Sequence, residues 1–150
     1  MKKILVTLSL VLCTTLFAQD FSALEKYELK SDQSYVSAEP KVLECVNYLF
    51  ENSVKENQLN RLNATQFMMR WMEGCKHTFS IDTKMTDLVS DNKDLFALYL
   101  AGMCKVVLEN TNTPLSEVEV HDKTAALLVA YCKNESNGVK PTKALKKLMK

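Results

Sequence analysis

The strongest constraint on the fold is a set of apolar residues that recurs with the period of an α-helix. Between positions 62 and 73 these residues stand at i, i+3, i+4, i+7 and i+8, and they are Ala64, Phe67, Met68, Trp71 and Met72. This spacing places all of them on one face of a helix. A pattern that suggests a strand occurs only near Phe79. The segment therefore predicts a helix that buries one side against a core.

The same reasoning extends along the chain. Each proline stands where an amphipathic pattern begins, and proline is tolerated at the first helical position. Ser116 and Glu119 form a capping-box pattern, which predicts a helix start. Helices are predicted at residues 40–54, 62–73, 83–90, 92–109, 116–133 and 141–150, with an extended piece at 76–82. Because residues 92–109 are apolar nearly all round, we place that helix at the centre.

These elements predict an all-α fold, with five or six short helices in a compact antiparallel or orthogonal array. Gly102 lies inside the central helical pattern and is expected at a close helix–helix contact. Gly74 and Gly138 follow the ends of apolar patterns, where a left-handed residue closes a helix. Residues 40–150 form the predicted domain, and the polar residues 19–39 are expected to be a loosely packed arm.

Residues 1–18 have the pattern of a secretory signal peptide. Lys2 and Lys3 precede an apolar stretch, and Ala18 supplies the small residue before a cleavage point. A lipoprotein signal at Cys13 is disfavoured because Leu12, rather than a small residue, precedes it. We therefore expect a periplasmic or secreted protein cleaved near Ala18. No transmembrane helix is expected in the rest of the chain.

The charge balance excludes one large class of function. The chain has 19 basic and 18 acidic residues, so no nucleic-acid partner that relies on overall charge is expected. The C-terminal residues 140–150 nevertheless contain five lysines and no acid. Lys143, Lys146 and Lys147 are candidates for peripheral contact with an anionic surface or an acidic partner. The alternative is that these cations complement the dipole of the last helix.

Four cysteines follow the signal segment: Cys45, Cys75, Cys104 and Cys132. An even number in an exported protein suggests disulfides. In a hairpin of the first two predicted helices, Cys45 and Cys75 lie at heights of about 14 and 20 Å, which favours a Cys45–Cys75 bond. The other two cysteines are left open. The alternative is that several of the four are small buried apolar residues.

Neither metal binding nor catalysis has a strong motif. The cysteines lack the close spacing of zinc ligands, and no metal or other cofactor is predicted. Glu117 and His121 share a helix face, but acids near a helix start are also favoured by the dipole. Cys75 and His77 are the only Cys–His neighbours, and they follow a helix C-terminus, where the dipole raises a thiol pKa. An enzyme that uses Cys75 or the Glu117/His121 pair is the third-ranked hypothesis.

Two other groups of residues are candidates for binding. Met69 lies off the apolar stripe of the second helix, beside Arg70 and Trp71, and these residues are expected to contact a ligand or partner. Alternatively, the methionines and aromatics simply form a core face. A second hypothesis is a carrier of an apolar small molecule, in a helical pocket lined by Trp71, Met72, Phe96 and Met103.

Part of the sequence resembles a known group of proteins. The stretches Arg70-Trp71-Met72-Glu73-Gly74 and Thr78-Phe79-Ser80-Ile81-Asp82 are similar to small secreted α-helical proteins of Bacteroidetes bacteria. The end of the signal, Phe17-Ala18-Gln19, is similar to their export signals. The resemblance implies export and a helical fold, and it carries no catalytic residue.

From these observations we predict an exported, non-catalytic helical binding protein. Its expected partner is another protein or an envelope component.

Overall fold

The computed structural model describes residues 19–90 and 92–150, so the predicted signal segment lies outside the described residues. Within them there are six α-helices and two short 3₁₀ helices, and no strand, which confirms the all-α prediction. The α-helices are α1 (Asp32–Glu51), α2 (Gln58–Gly74), α3 (Thr83–Val89), α4 (Lys93–Glu109), α5 (Glu117–Lys133) and α6 (Lys143–Leu148). The 3₁₀ helices are Ser22–Lys26 and Glu135–Asn137.

Helix α4 is the centre of the fold, as predicted. It packs against α1, α2, α3 and α5, while α6 closes one end against α3 and α5. Its buried side chains point in several directions around the helix; they include Leu95, Leu98, Tyr99, Met103 and Cys104. A helix that is apolar nearly all round can be stable only when other elements surround it. Within the described residues, no helix combines the length and the apolar character needed to cross a membrane.

Helix α1 begins earlier than predicted. It starts at Asp32, and Pro40 lies inside it rather than at its first position. The start is set by a capping box, in which Ser31 accepts a hydrogen bond from the Ser34 backbone and the Ser34 hydroxyl accepts one from the Ser31 backbone. The cap marks the start of the helix, and the turns before Pro40 are stabilised by packing, because Ala38 is fully buried and Tyr35 packs against the core.

The segment before α1 is also more closely packed than predicted. Phe21 is 4% exposed and Leu24 is 7% exposed, and both belong to the main core. The Phe21 backbone N–H donates to Asn60 on α2 at 2.8 Å. Residues 19–39 are therefore not a loose arm, because two apolar side chains anchor the 3₁₀ helix on α2.

The glycines differ in their roles. A Cβ at Gly102 would lie 2.8 Å from the Thr124 methyl, which confirms the predicted close contact between helices, here α4 and α5. Gly138 has φ +77° and closes a 3₁₀ helix in the left-handed region, as predicted. Gly74 is different: it lies within α2 and has no positive φ, and a Cβ there would overlap the Tyr35 phenol. The absent side chain at Gly74 thus makes room for packing against α1.

Candidate functional site

A cleft of about 450 Å³ lies between the central helix α4, the helix α5 and the segment that joins α2 to α3. Helices α4 and α5 and the loop between them contribute the apolar lining residues Met103, Val107, Leu115, Val118 and Val120. Most of the other lining residues have side chains with hydrogen-bonding groups, and they include both histidines of the chain, Lys76, Lys84 and Tyr99. A concave site with an apolar wall and a few convergent polar groups is the usual form of a binding site.

A hydrogen bond between Tyr99 and His121 fixes one polar group of the cleft. The Tyr99 hydroxyl lies 2.8 Å from His121 Nδ1. Burial, with a smaller effect from the Asp82 carboxylate, raises the pKa of Tyr99 to about 12. The phenol therefore keeps its proton and can donate a hydrogen bond to Nδ1, and in that arrangement a neutral His121 imidazole carries its proton on Nε2. His121 can then offer Nε2–H as a donor in the cleft.

His77 is held on the opposite wall by different partners. Its Nε2 lies 3.3 Å from a Glu39 carboxylate oxygen on α1. The His77 ring also packs at 5.7 Å, centroid to centroid, from the Trp71 indole. The fold therefore brings together two imidazoles from distant parts of the chain and fixes each through one ring nitrogen. Sequence reasoning missed the contributions of Tyr99 and Glu39, because nothing in their spacing relates them to a histidine.

The predicted Glu117/His121 pair does face the cleft. Within the described part of the chain, no group of three or more His, Cys, Asp or Glu side chains has the arrangement of a metal site. Nδ1 of His121 is already occupied by Tyr99. The His121 ring nitrogen that remains for a ligand in the cleft is therefore Nε2.

The cysteines do not form the predicted bond. All four cysteines of the described residues are free, so the Cys45–Cys75 disulfide is absent. Cys45 is fully buried in the core face of α1, whereas Cys75 is a half-buried residue that follows α2. Cys75 lies near enough to Cys104 that its charge contributes to raising the Cys104 pKa. The simple two-helix hairpin used for the prediction compared only the heights of the two cysteines, whereas Cys45 lies in the buried face of α1 and Cys75 lies half-buried after the end of α2.

Burial is also the main cause that raises the pKa of Cys75. A raised pKa keeps the sulfur as a thiol near neutral pH, whereas a nucleophile needs the thiolate. The Cys75 sulfur contacts the carbonyl oxygens of Met72 and His77 at 3.9 and 3.8 Å. These contacts are weak S–H hydrogen bonds to the backbone, which is the role of a thiol that packs in the fold.

The predicted contact residues of α2 have separate roles. Trp71 is fully buried, and its Nε1 donates to the Tyr35 carbonyl at 3.0 Å, so it cannot touch a partner. The apolar stripe of α2 faces the core, and Trp71 is part of that stripe. Arg70 binds its own chain, because its guanidinium donates to the carbonyls of Leu24 at 2.7 Å and Glu25 at 2.9 Å. Only Met69 is exposed, beside a shallower groove.

The predicted lysine contacts and the predicted apolar pocket have different outcomes. Lys143, Lys146 and Lys147 are exposed on α6, and none forms a salt bridge within the described residues. The pocket expected from Trp71, Met72, Phe96 and Met103 is not formed as one site. Of the four, only Met103 lines the cleft, because Trp71 packs inside the core and Phe96 lies on the exposed side of α4.

Comparison of the chain with family models, with curated proteins and with solved structures gave no match, so the site alone carries the functional argument.

Proposed function

We propose that this protein is an exported, non-catalytic binding protein that holds a segment of a partner protein in the cleft between α4 and α5. The observation that carries the proposal is the cleft itself, in which apolar side chains of α4 and α5 stand beside hydrogen-bonding groups that are fixed on both walls. Val118 supports a protein partner in particular, because it is 56% exposed on the cleft wall. An exposed apolar residue beside a polar rim is typical of an interaction surface.

Two alternatives fit the site less well. A carrier of an apolar molecule needs an enclosed apolar pocket, whereas this cleft is open and includes Lys76, Lys84, Asp82 and Glu117 in its lining. An enzyme needs an activated group, and burial raises the pKa of the Cys75 thiol instead of lowering it. The Tyr99 phenol has a pKa of about 12, which suits a fixed donor rather than a base near neutral pH.

The test uses two matched variants in the protein's own host. Val118→Asp places a charge on the cleft wall, while Leu59→Asp places the same charge on an exposed residue of α2 that does not line the cleft. After cross-linking in cells, we expect one polypeptide to be captured by the wild type and by Leu59→Asp but lost with Val118→Asp. Equal capture by both variants contradicts the proposal. A tightly bound small molecule in native mass spectrometry, with no polypeptide, favours the carrier instead.

Export is tested separately, because it rests on the sequence of residues 1–18. We expect the protein recovered from the envelope or the medium to have the mass of a chain that begins at Gln19. A full-length chain recovered from the cytoplasm contradicts export but leaves the cleft proposal standing.

A further inference from the structure

The segment Lys76–Ile81, which forms one wall of the cleft, has the alternating exposure of a β-strand from Lys76 to Phe79, and the alternation ends at Ser80 and Ile81, of which Ile81 is exposed. His77 and Phe79 are partly buried, and both rings pack against Trp71, at 5.7 and 6.1 Å between centroids. Lys76 and Thr78 are exposed. Side chains that alternate between two sides have the period of an extended chain, not of a helix. Cys75 and Asp82, which flank the segment, also have extended backbone angles.

The backbone of this segment is unpaired. Among the described residues, no backbone N–H from Lys76 to Ile81 donates a hydrogen bond, and only the His77 carbonyl accepts one, from the Cys75 sulfur at 3.8 Å. Backbone N–H and C=O groups are obligatory hydrogen-bonding groups, and in proteins they are paired with the chain, a ligand or water. A row of unpaired groups on an extended segment is equivalent to the open edge of a sheet.

The space beside this edge is the cleft. Lys76, His77, Thr78, Phe79 and Ser80 all line it, and the lining residues of α4 and α5 include the apolar side chains Met103 and Val118. A neighbouring strand lies about 4.8 Å away in a sheet. A strand added to the segment would therefore enter the cleft and present alternate side chains to these apolar residues.

Charged side chains of both signs line the cleft. Lys76 begins the segment and Asp82 follows it, while Lys84 and Glu117 lie on the rim. None of these four side chains forms a salt bridge within the described part of the chain. Asp82 is already engaged as the N-cap of α3, where its Oδ1 accepts from the Met85 backbone N–H at 3.0 Å, so a paired strand would mainly need an acidic residue opposite Lys76. The equal numbers of positive and negative groups suit such a peptide better than a polyanion.

We infer that the cleft binds an extended peptide by β-strand addition to Lys76–Ile81. This inference rests on the proposed function and specifies how the partner segment is held. Main-chain hydrogen bonds to the open edge supply affinity, and alternate apolar side chains against Met103, Val107 and Val118 supply selectivity. His121, fixed by Tyr99, offers one further donor to the peptide from the facing wall.

The probes are peptides of about seven residues, blocked at both ends and selected from a random library on the purified protein, a length that spans the segment at about 3.3 Å per residue. We expect selected peptides to alternate apolar and polar residues. N-methylation of alternate peptide nitrogens is expected to weaken binding roughly tenfold, since it removes donors and leaves the side chains in place. Methylation of the intervening nitrogens should change affinity less than threefold.

Proline variants test the protein side of the same bonds. The N–H groups of consecutive residues in an extended chain point to opposite edges, so we expect one of Ser80→Pro and Ile81→Pro to lose affinity roughly tenfold while the other keeps it. Ser80→Ala and Ile81→Ala are the matched controls, because they keep the N–H, and each should bind within twofold of wild type. Thermal unfolding of every variant checks that the fold is intact.

The outcomes separate this inference from the proposed function. Selected peptides that lose binding with Val118→Asp but are indifferent to N-methylation and to both prolines overturn strand addition while supporting the cleft. The inference is also overturned if the library yields no peptide whose binding is weakened by Val118→Asp. The proposed function fails independently when the cross-linked partner is captured equally by Val118→Asp and Leu59→Asp.

Discussion

Tyr99 and His121 are joined by a 2.8 Å hydrogen bond that links the buried face of α4 to the cleft wall on α5. Tyr99 is 1% exposed, so the ring that orients the histidine is itself held by the core. Preorganisation of this kind lowers the cost of binding, because the donor does not have to be ordered when the ligand arrives.

Removal of this bond should allow neutral His121 to adopt both tautomers. In Tyr99→Phe we expect the ¹⁵N NMR spectrum of neutral His121 to change from the Nε2–H tautomer to a mixture of the two. The free energy of unfolding should fall by about 1 kcal/mol, the net value of one hydrogen bond. Thr111→Ala is the control, because this exposed residue of the same cleft makes no hydrogen bond to His121. An unchanged tautomer in Tyr99→Phe would show that Tyr99 does not orient the ring.

The close approach of α4 and α5 should make Gly102 intolerant of a side chain. Gly102→Ala brings a Cβ to 2.8 Å from the Thr124 methyl, and we expect a loss of about 1–3 kcal/mol in the free energy of unfolding. Thr124→Ser removes the methyl group, so the double variant should recover most of that loss. Urea denaturation of the two single variants and the double variant measures this coupling. If the two effects on the free energy of unfolding are simply additive, the contact between residue 102 and Thr124 is not the source of the strain.

Arg70 should control the N-terminal segment more than the global fold. Its guanidinium donates to the Leu24, Glu25 and Tyr27 carbonyls. In Arg70→Ala we therefore expect faster amide hydrogen exchange in residues 19–30, with little change in exchange of α4. Gln66→Ala is the matched control, because it lines the same groove of α2 and donates no bond to that segment. Equal exchange in the two variants would contradict this role.

The buried thiol of Cys45 should make stability sensitive to alkaline pH. Burial raises its pKa from 9.0 to about 12. Below pH 9 both the folded and the unfolded chain keep the proton, and the contribution of this group to stability is fully present. As pH rises from 9 towards 12, the unfolded chain ionises first, so the free energy of unfolding falls by up to about 1.4 kcal/mol per pH unit.

The control for this pH effect is Cys45→Ala. Urea denaturation between pH 8 and 10.5 should give a shallower decline for the variant than for the wild type. The comparison uses the slopes rather than the absolute values, because the smaller side chain also changes packing. Parallel slopes would contradict the assignment to Cys45.

Much of the helical architecture could be predicted from local signals. The capping box at Ser116 and Glu119 is present in the structure, and the period of residues 64–72 predicted the buried face of α2. Both depend on residues a few positions apart, which a helix brings together whatever surrounds it. The start of α1 was missed because Pro40 lies inside the helix, and the turns between the Ser31 cap and Pro40 depend on packing against the core.

The sequence by itself thus determined that the chain is helical, where most helices lie and which helix is central, because these follow from periodicity and capping within one turn. Only the tertiary structure decided what the side chains do. It buried Trp71, turned Arg70 back onto its own chain and left the cysteines free. It also placed His77 and His121 on one cleft. The physical reason is that such neighbours depend on how separate helices pack against α4, and that packing is set by complementary surfaces distant in the chain.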